Sequence, residues 1–201
     1  LGFRGSLQQQ LDRRAVDLVA VFFGDGPAHA HERASDVLLR DSRAQGVEVI
    51  EGNALDPSAV QQACAQAGPG ARVISTLGSF RQPQPVDYQG NRNVIDAMEQ
   101  TGLIRLLLVT SLGCGDSWQY LPERARAAFG HEVRLKSLAE SWLQTSALDW
   151  TILRPAGLQD GEATGRAELS QGKEVHGLVR RADVAAHGLR LLADEAALGQ
   201  I

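Results

Sequence analysis

The chain has only two cysteines, Cys64 and Cys114, among 201 residues, with neither CxxC nor metal-ligand spacing. That excludes a disulfide-stapled fold and a cysteine zinc site, and predicts reduced thiols in a cytoplasmic protein. Cys64, on an expected helix, reads as a small buried hydrophobe. Cys114 lies in a glycine loop where it can be exposed, but no base stands near it to make it a nucleophile. Aromatic residues are sparse at 5%, and positive charge is not in excess, with 20 Lys and Arg against 24 Asp and Glu. A net charge of −4 argues against a general nucleic-acid or anionic-membrane binder. No apolar run approaches the roughly 20 residues that span a bilayer, and no secretory signal is visible.

Forty-three per cent apolar residues suffice for a packed core, and residues 1–201 read as a single domain. Apolar runs that fit strands fall at 16–23, 47–50, 72–76, 106–110, 149–153 and 175–179. Helix patterns lie between and beyond them, at 7–14, 31–45, 57–67, 86–101, 122–130, 131–146 and 182–194. Asp56 is placed to cap the helix that opens at Pro57. In the helix over 131–146, Leu135, Leu138, Ala139, Trp142 and Leu143 form the expected inward stripe. Alternating strands and helices predict a doubly wound parallel α/β sheet.

In such a sheet ligands bind beyond the carboxyl ends of the strands. The stretch from Arg105 to Asp116 is a Leu/Val run that ends in Thr110 and Ser111 and a glycine loop, so these two hydroxyls fall where chemistry is expected. Near the start, Gly2-Phe-Arg-Gly5 precedes a helix and then the strand over 16–23, the order of a dinucleotide-binding unit. On that reading the first strand and first glycine of the motif precede residue 1. Ser111 is not in a G-x-S-x-G elbow, which argues against a hydrolase. His29 and His31 read as loop residues, without a third ligand to make a metal site. The three tryptophans read as packing residues, with Trp118 also a candidate wall for a planar substrate.

Several segments occur in one order: Val73-Ile-Ser-Thr-Leu-Gly-Ser79, Val86-Asp-Tyr-Gln-Gly-Asn-Arg-Asn-Val-Ile-Asp-Ala97, Leu107-Leu-Val-Thr-Ser-Leu-Gly113, Leu143 through Arg154-Pro155, Asp160 through Gly165, and Asp183-Val-Ala-Ala186. Together they resemble the atypical short-chain dehydrogenase/reductases of the NmrA-like group, most nearly flavin reductases of the biliverdin reductase B type. The resemblance covers nearly the whole chain from Gly2. It implies a Rossmann-like fold and an NAD(P)H-dependent oxidoreductase that passes hydride to a flavin, quinone or similar planar acceptor. The alternative is an NmrA-like dinucleotide-binding redox sensor without turnover.

Carried over by position, the resemblance makes Gly2 and Gly5 the last glycines of the phosphate loop. Asn53, Ala54 and Leu55 would line the adenine, and Thr76, Leu77 and Gly78 the ribose and pyrophosphate. Thr110, Ser111 and Leu112 would lie beside the nicotinamide, with Lys136 on its ribose and Pro155, Ala156 and Gly157 over its carboxamide. Ser111 and Lys136 are the two candidates for a direct part in the reaction. By spacing alone, Lys136 reads as part of an i, i+4 charge ladder with Glu132 and Glu140, and only the resemblance sets the cofactor role beside that reading. Three departures stand out: Glu132 occupies the family's tyrosine position, Gly157 stands where a histidine is expected, and no arginine directly follows Phe23. Arg33 and Arg40 are then the candidates for a 2′-phosphate. The cofactor is NADP or NAD, with NADP favoured by the resemblance. Without the tyrosine, ketone reduction loses its proton donor, whereas a flavin or quinone delocalises the incoming charge and takes its proton from water.

Overall fold

A computed structural model of the protein describes residues 20–23, 44, 46–79 and 82–201. The expected phosphate loop with Gly2 and Gly5 lies outside these residues, as do His29, His31, Arg33 and Arg40. The helices expected over 7–14 and 31–45 also lie largely outside them.

Among the described residues every strand pairs in parallel with its neighbour. β1 (Ala20–Phe23) pairs with β2 (Val49–Gly52), and β3 (Arg72–Ser75), β4 (Arg105–Val109) and β5 (Asp149–Leu153) form a sheet in the order β3-β4-β5. A short third pair joins β6 (Gly157–Gln159) to β7 (Leu178–Arg180). The helices α1 (Pro57–Ala67), α2 (Gln89–Thr101), α3 (Glu123–Gln144) and α4 (Arg181–Ala193) lie between or after strands, as a doubly wound sheet requires.

The Leu/Val run of β4 is covered on both faces. Leu106 and Leu108 point into a core with Val94, Ile95 and Met98 of α2 and Leu143 of α3. Leu107, between them, points the other way and meets α4 at Gly188, where an added Cβ would lie 3.1 Å from it. All three leucines are fully buried, each contributing about 1.5–3 kcal/mol of apolar burial.

Helix ends follow the local chemistry. Asp56 accepts a 2.9 Å hydrogen bond from the Ser58 amide, with Pro57 in the first turn, and Gly102 closes α2 in the left-handed region at φ 75°. The two helices expected over 122–130 and 131–146 are continuous as α3, but the backbone leaves helical geometry at Phe129 (φ −146°, ψ 20°). Gly130, at this kink, lets the ring of Trp118 approach to 3.2 Å of where a Cβ would sit. Three features escaped the sequence pattern: strand β6, and 3-10 turns at Gly115–Tyr120 and Glu195–Ala197.

The inward face of α3 is not the one expected. Ala139 and Leu143 are buried, but Leu138 is 51% and Trp142 37% exposed. The ring of Trp142 instead lies under the Arg92 guanidinium, 4.2 Å away, and its N–H donates to Asp96 at 2.8 Å. The buried stripe runs through Val133, Ala139, Glu140 and Leu143, with Lys136 half-buried along it. Cys114 is also corrected. It is fully buried beside Leu121 and Val133, and burial pushes its thiol up to about 11, as it does for Cys64.

Candidate functional site

The segments singled out by sequence each follow the carboxyl end of a parallel strand: Asn53–Leu55 after β2, Thr76–Gly78 after β3, Thr110–Leu112 after β4 and Pro155–Gly157 after β5. After β2, the Asn53 side chain turns back to accept the Leu55 amide at 2.9 Å, and the Ala54 carbonyl accepts from Asn93 of α2 at 2.8 Å.

After β3, three side chains hold the Thr76–Ser79 strap from below. Asn91 donates to the Asp87 carbonyl at 2.8 Å and, weakly, to the Leu77 carbonyl at 3.4 Å, while accepting from Ser75 at 2.6 Å. Asp87 Oδ2 accepts both the amide (3.0 Å) and the hydroxyl (2.6 Å) of Ser79. Lys136 reaches across from α3 and donates from Nζ to the Leu77 carbonyl at 3.0 Å. Its ammonium lies over Gly78, where an added Cβ would stand 2.5 Å from Nζ. Gly78→Ala is therefore expected to push the Lys136 head group off the strap. A loss of about tenfold or more in NAD(P)H affinity by fluorescence titration is the expected result, together with a lower melting temperature, because the buried Asp87 carboxylate that faces the ammonium at 3.0 Å loses its partner.

After β4 and β5, one buried ionic group ties the two strand ends together. Glu140 of α3 is 1% exposed. Its carboxylate accepts the Thr110 hydroxyl at 2.5 Å and a two-pronged contact from Arg154, at 3.0 Å from Nε and 2.7 Å from Nη2. Arg154 also pairs with Asp116 in the glycine loop at 2.5 Å. Burial alone would weaken the guanidinium's hold on its proton, but the hydrogen bonds and charges of Glu140 and Asp116 outweigh it and raise its pKa. The same hydrogen bond holds the Asp116 carboxyl below its ordinary value. The Leu112 amide donates to the Pro155 carbonyl at 3.0 Å, and the Ser111 hydroxyl donates to the Leu112 carbonyl at 3.0 Å. Gly157 begins β6, where a Cβ would crowd Leu178 at 2.8 Å. Trp118 is engaged by Gly130 and by the guanidinium groups of Arg126 and Arg134, a packing residue as expected.

Beside this crest opens a crevice of about 1290 Å³, bounded by Leu112, Pro155 and the segment 166–179. Of the ten exposed large apolar side chains among the described residues, five line it: Tyr120, Leu169, Val175, Leu178 and Ile201. Such a gathering of apolar surface in a concave site marks a place for a ligand.

The matching family model is described as NAD(P)H-binding and spans residues 25–195. The chain belongs to this NAD(P)H-binding family. Among solved structures it is similar to ChuY, an anaerobilin reductase from Escherichia coli O157:H7, with 48% identity, a TM-score of 0.73, and coverage of 90% of this chain and 93% of that one. ChuY of strain CFT073 matches at 47% identity and a TM-score of 0.76, over 97% and 87% of the two chains. Among curated proteins, sanguinarine reductase of Eschscholzia californica is 34% identical over 109 residues, 51% of this chain and 38% of that protein. The UPF0659 protein C216.03 of Schizosaccharomyces pombe is 28% identical over 132 residues, 57% of this chain and 53% of that one. This NAD(P)H-binding chain thus spans about half the length, or less, of these two curated relatives.

The Rossmann-like parallel fold and the nicotinamide dinucleotide expected from sequence are borne out, and reductases stand among the relatives. The donors on the described strand ends suit such a cofactor: a lysine head group over an exposed glycine, with backbone beside it that carries no side chain. Asp87, Glu140 and Arg154 went unassigned by sequence reasoning, though the Arg-Pro pair and the polar positions of α3 carried the signal. Among the described residues no group of three His, Cys, Asp or Glu side chains is arranged to hold a metal ion, and no helix is long and apolar enough to cross a membrane.

The segment 160–167 beside the crevice is fastened to α4 by Asp183, which is 3% exposed and accepts the Thr164 amide and hydroxyl and the Gly165 amide at 2.8–3.1 Å. Burial raises the Asp183 pKa, but these donors outweigh burial and hold it below the ordinary value of 3.8. A carboxyl lowered in the folded state stabilises above its unfolded pKa and loses that contribution as pH falls through the lowered value. Asp183→Asn is thus expected to be less stable than wild type at neutral pH, by urea denaturation, with the gap closing in acid below about pH 3.8. Limited proteolysis at neutral pH should cut the variant first within 160–167.

Proposed function

We propose that the protein is an NAD(P)H-dependent reductase that delivers hydride to a flavin, a quinone or a similar planar acceptor. The observation that carries the reading is the apolar crevice opening at Leu112 and Pro155, beside the strand ends of a dinucleotide-binding family. The near-full-length likeness to an anaerobilin reductase supports the reductase reading and makes anaerobilin the first compound to assay.

Bound NAD(P)H supplies the hydride. Thr76, Leu77 and Gly78 offer backbone to its ribose and pyrophosphate, and Lys136 holds the nicotinamide ribose. Asn53, Ala54 and Leu55 take the adenine side, with Gly2 and Gly5 at the phosphates. Thr110, Ser111 and Leu112 would lie beside the nicotinamide, with Pro155, Ala156 and Gly157 over its carboxamide. The Ser111 hydroxyl, which donates to the Leu112 carbonyl, would orient the carboxamide or the acceptor. Glu132, in place of the family's tyrosine, leaves the acceptor's proton to water, which suits an acceptor that delocalises negative charge.

The test is NADPH and NADH titration followed by an oxidation assay with anaerobilin, flavin and quinone acceptors. Turnover with at least one planar acceptor, and a loss of rate in Ser111→Ala, are expected. Tight binding without turnover on any acceptor would overturn the reductase and leave a dinucleotide sensor.

A further inference from the structure

Asp87 is fully buried, yet only one of its carboxylate oxygens is used by the strap. Oδ2 takes both Ser79 donors. Oδ1 accepts no hydrogen bond; it faces the Lys136 ammonium at 3.0 Å, an ion pair too oblique to count as one. A buried carboxylate is costly unless it is paired, and Ser79 alone would be served by a neutral amide oxygen. The charge at position 87 therefore answers to Lys136.

We propose that Asp87 is a positioning residue for Lys136, fixing its head group over Gly78 so that it is in place before the dinucleotide arrives. The inference rests on the reading of Lys136 as the residue that holds the nicotinamide ribose. An ammonium has three N–H groups. The Leu77 carbonyl takes one and Asp87 faces a second, which leaves the third for a hydroxyl of the ligand. The long lysine side chain loses much rotamer freedom on binding, and a head group already seated has paid that cost during folding.

A double-mutant cycle tests this, with NAD(P)H dissociation constants measured at equilibrium for Asp87→Asn, Lys136→Met and the double variant. No acceptor is needed, so failure of the reductase reading leaves this test intact. Each single change is expected to weaken binding by about tenfold, and the double to be no weaker than Lys136→Met alone. Equal loss from Asp87→Asn in both backgrounds would overturn the proposal, because Asp87 would then act on the strap and not through the lysine. No loss in either background would overturn it as well.

A second measurement needs no cofactor. The chain has only one other lysine, Lys173, which is exposed and serves as an internal reference for acylation by a succinimidyl ester read by peptide mass spectrometry. Asp87→Asn should speed acylation of Lys136 several-fold relative to Lys173. Ser79→Ala, which trims a partner of Oδ2 and leaves Oδ1 alone, should not. Unchanged labelling in Asp87→Asn, or equal acceleration in Ser79→Ala, would overturn the proposal. Should Lys136→Met leave NAD(P)H affinity intact, the ribose role of Lys136 fails, while the labelling still decides whether Asp87 seats the lysine.

Discussion

Replacing Glu140 by alanine is expected to lower the unfolding free energy by about 3–5 kcal/mol, the penalty for stranding one partner of a buried ion pair. Three groups lose their partner at once: the Thr110 hydroxyl, and Nε and Nη2 of Arg154. The Arg154 side chain is only 11% exposed, and its remaining carboxylate, Asp116, is 82% exposed and a poor substitute. Glu140→Gln keeps acceptors for Thr110 and for part of the guanidinium, and should fall between alanine and wild type. Replacing both residues by well-packed apolar side chains should recover stability, since the cost lies in the unpaired charge. Urea denaturation reads all of these. A loss below about 1 kcal/mol for Glu140→Ala would show that water reaches Arg154 readily.

The second large effect belongs to the middle of β4. Leu107→Ala should cost about 2–5 kcal/mol, because the cavity opens between the sheet and α4 where Gly188 already brings the helix backbone close. A fall in the urea midpoint with an unchanged slope is the expected signature. A near-neutral outcome would mean that α4 can settle inward onto the sheet.

The strand-helix alternation was legible because Leu106, Leu107 and Leu108 give β4 an unbroken buried apolar run and because Asp56-Pro57 opens α1 in a way that follows from backbone chemistry. Of the strand ends, Thr110 and Ser111 follow by topology once β4 is placed, whereas Asn53–Leu55, Thr76–Gly78 and Pro155–Gly157 are carried over by the family resemblance. What periodicity mistook was the inward face of α3. It counted Leu138 and Trp142 as core and saw Lys136 and Glu140 as rungs of a solvated ladder. Lys136 goes instead to Leu77 and Asp87, and Glu140 to Thr110 and Arg154, each on another element. Polar side chains placed inward for the site lower the apolar content of the face that carries them. A pattern that seeks only apolar residues then turns the helix the wrong way. Asp87, just before α2, and Arg154, just after β5, stayed unassigned for a related reason, since a single charge beside the end of an element does not say which partner it will meet.

The segment 160–177 has its fastenings to α4 near its start: Asp183 holds Thr164 and Gly165, and His187 meets the Ala167 carbonyl at 2.9 Å. Farther along, Gln171 reaches the chain's last two residues. The strand ends after β4 and β5 are braced by Glu140 and Arg154, and they meet this segment again where the Gly157 amide donates to the Gly177 carbonyl at 3.1 Å. A change of shape within 168–176 therefore has a direct backbone route to those strand ends, through that one joint.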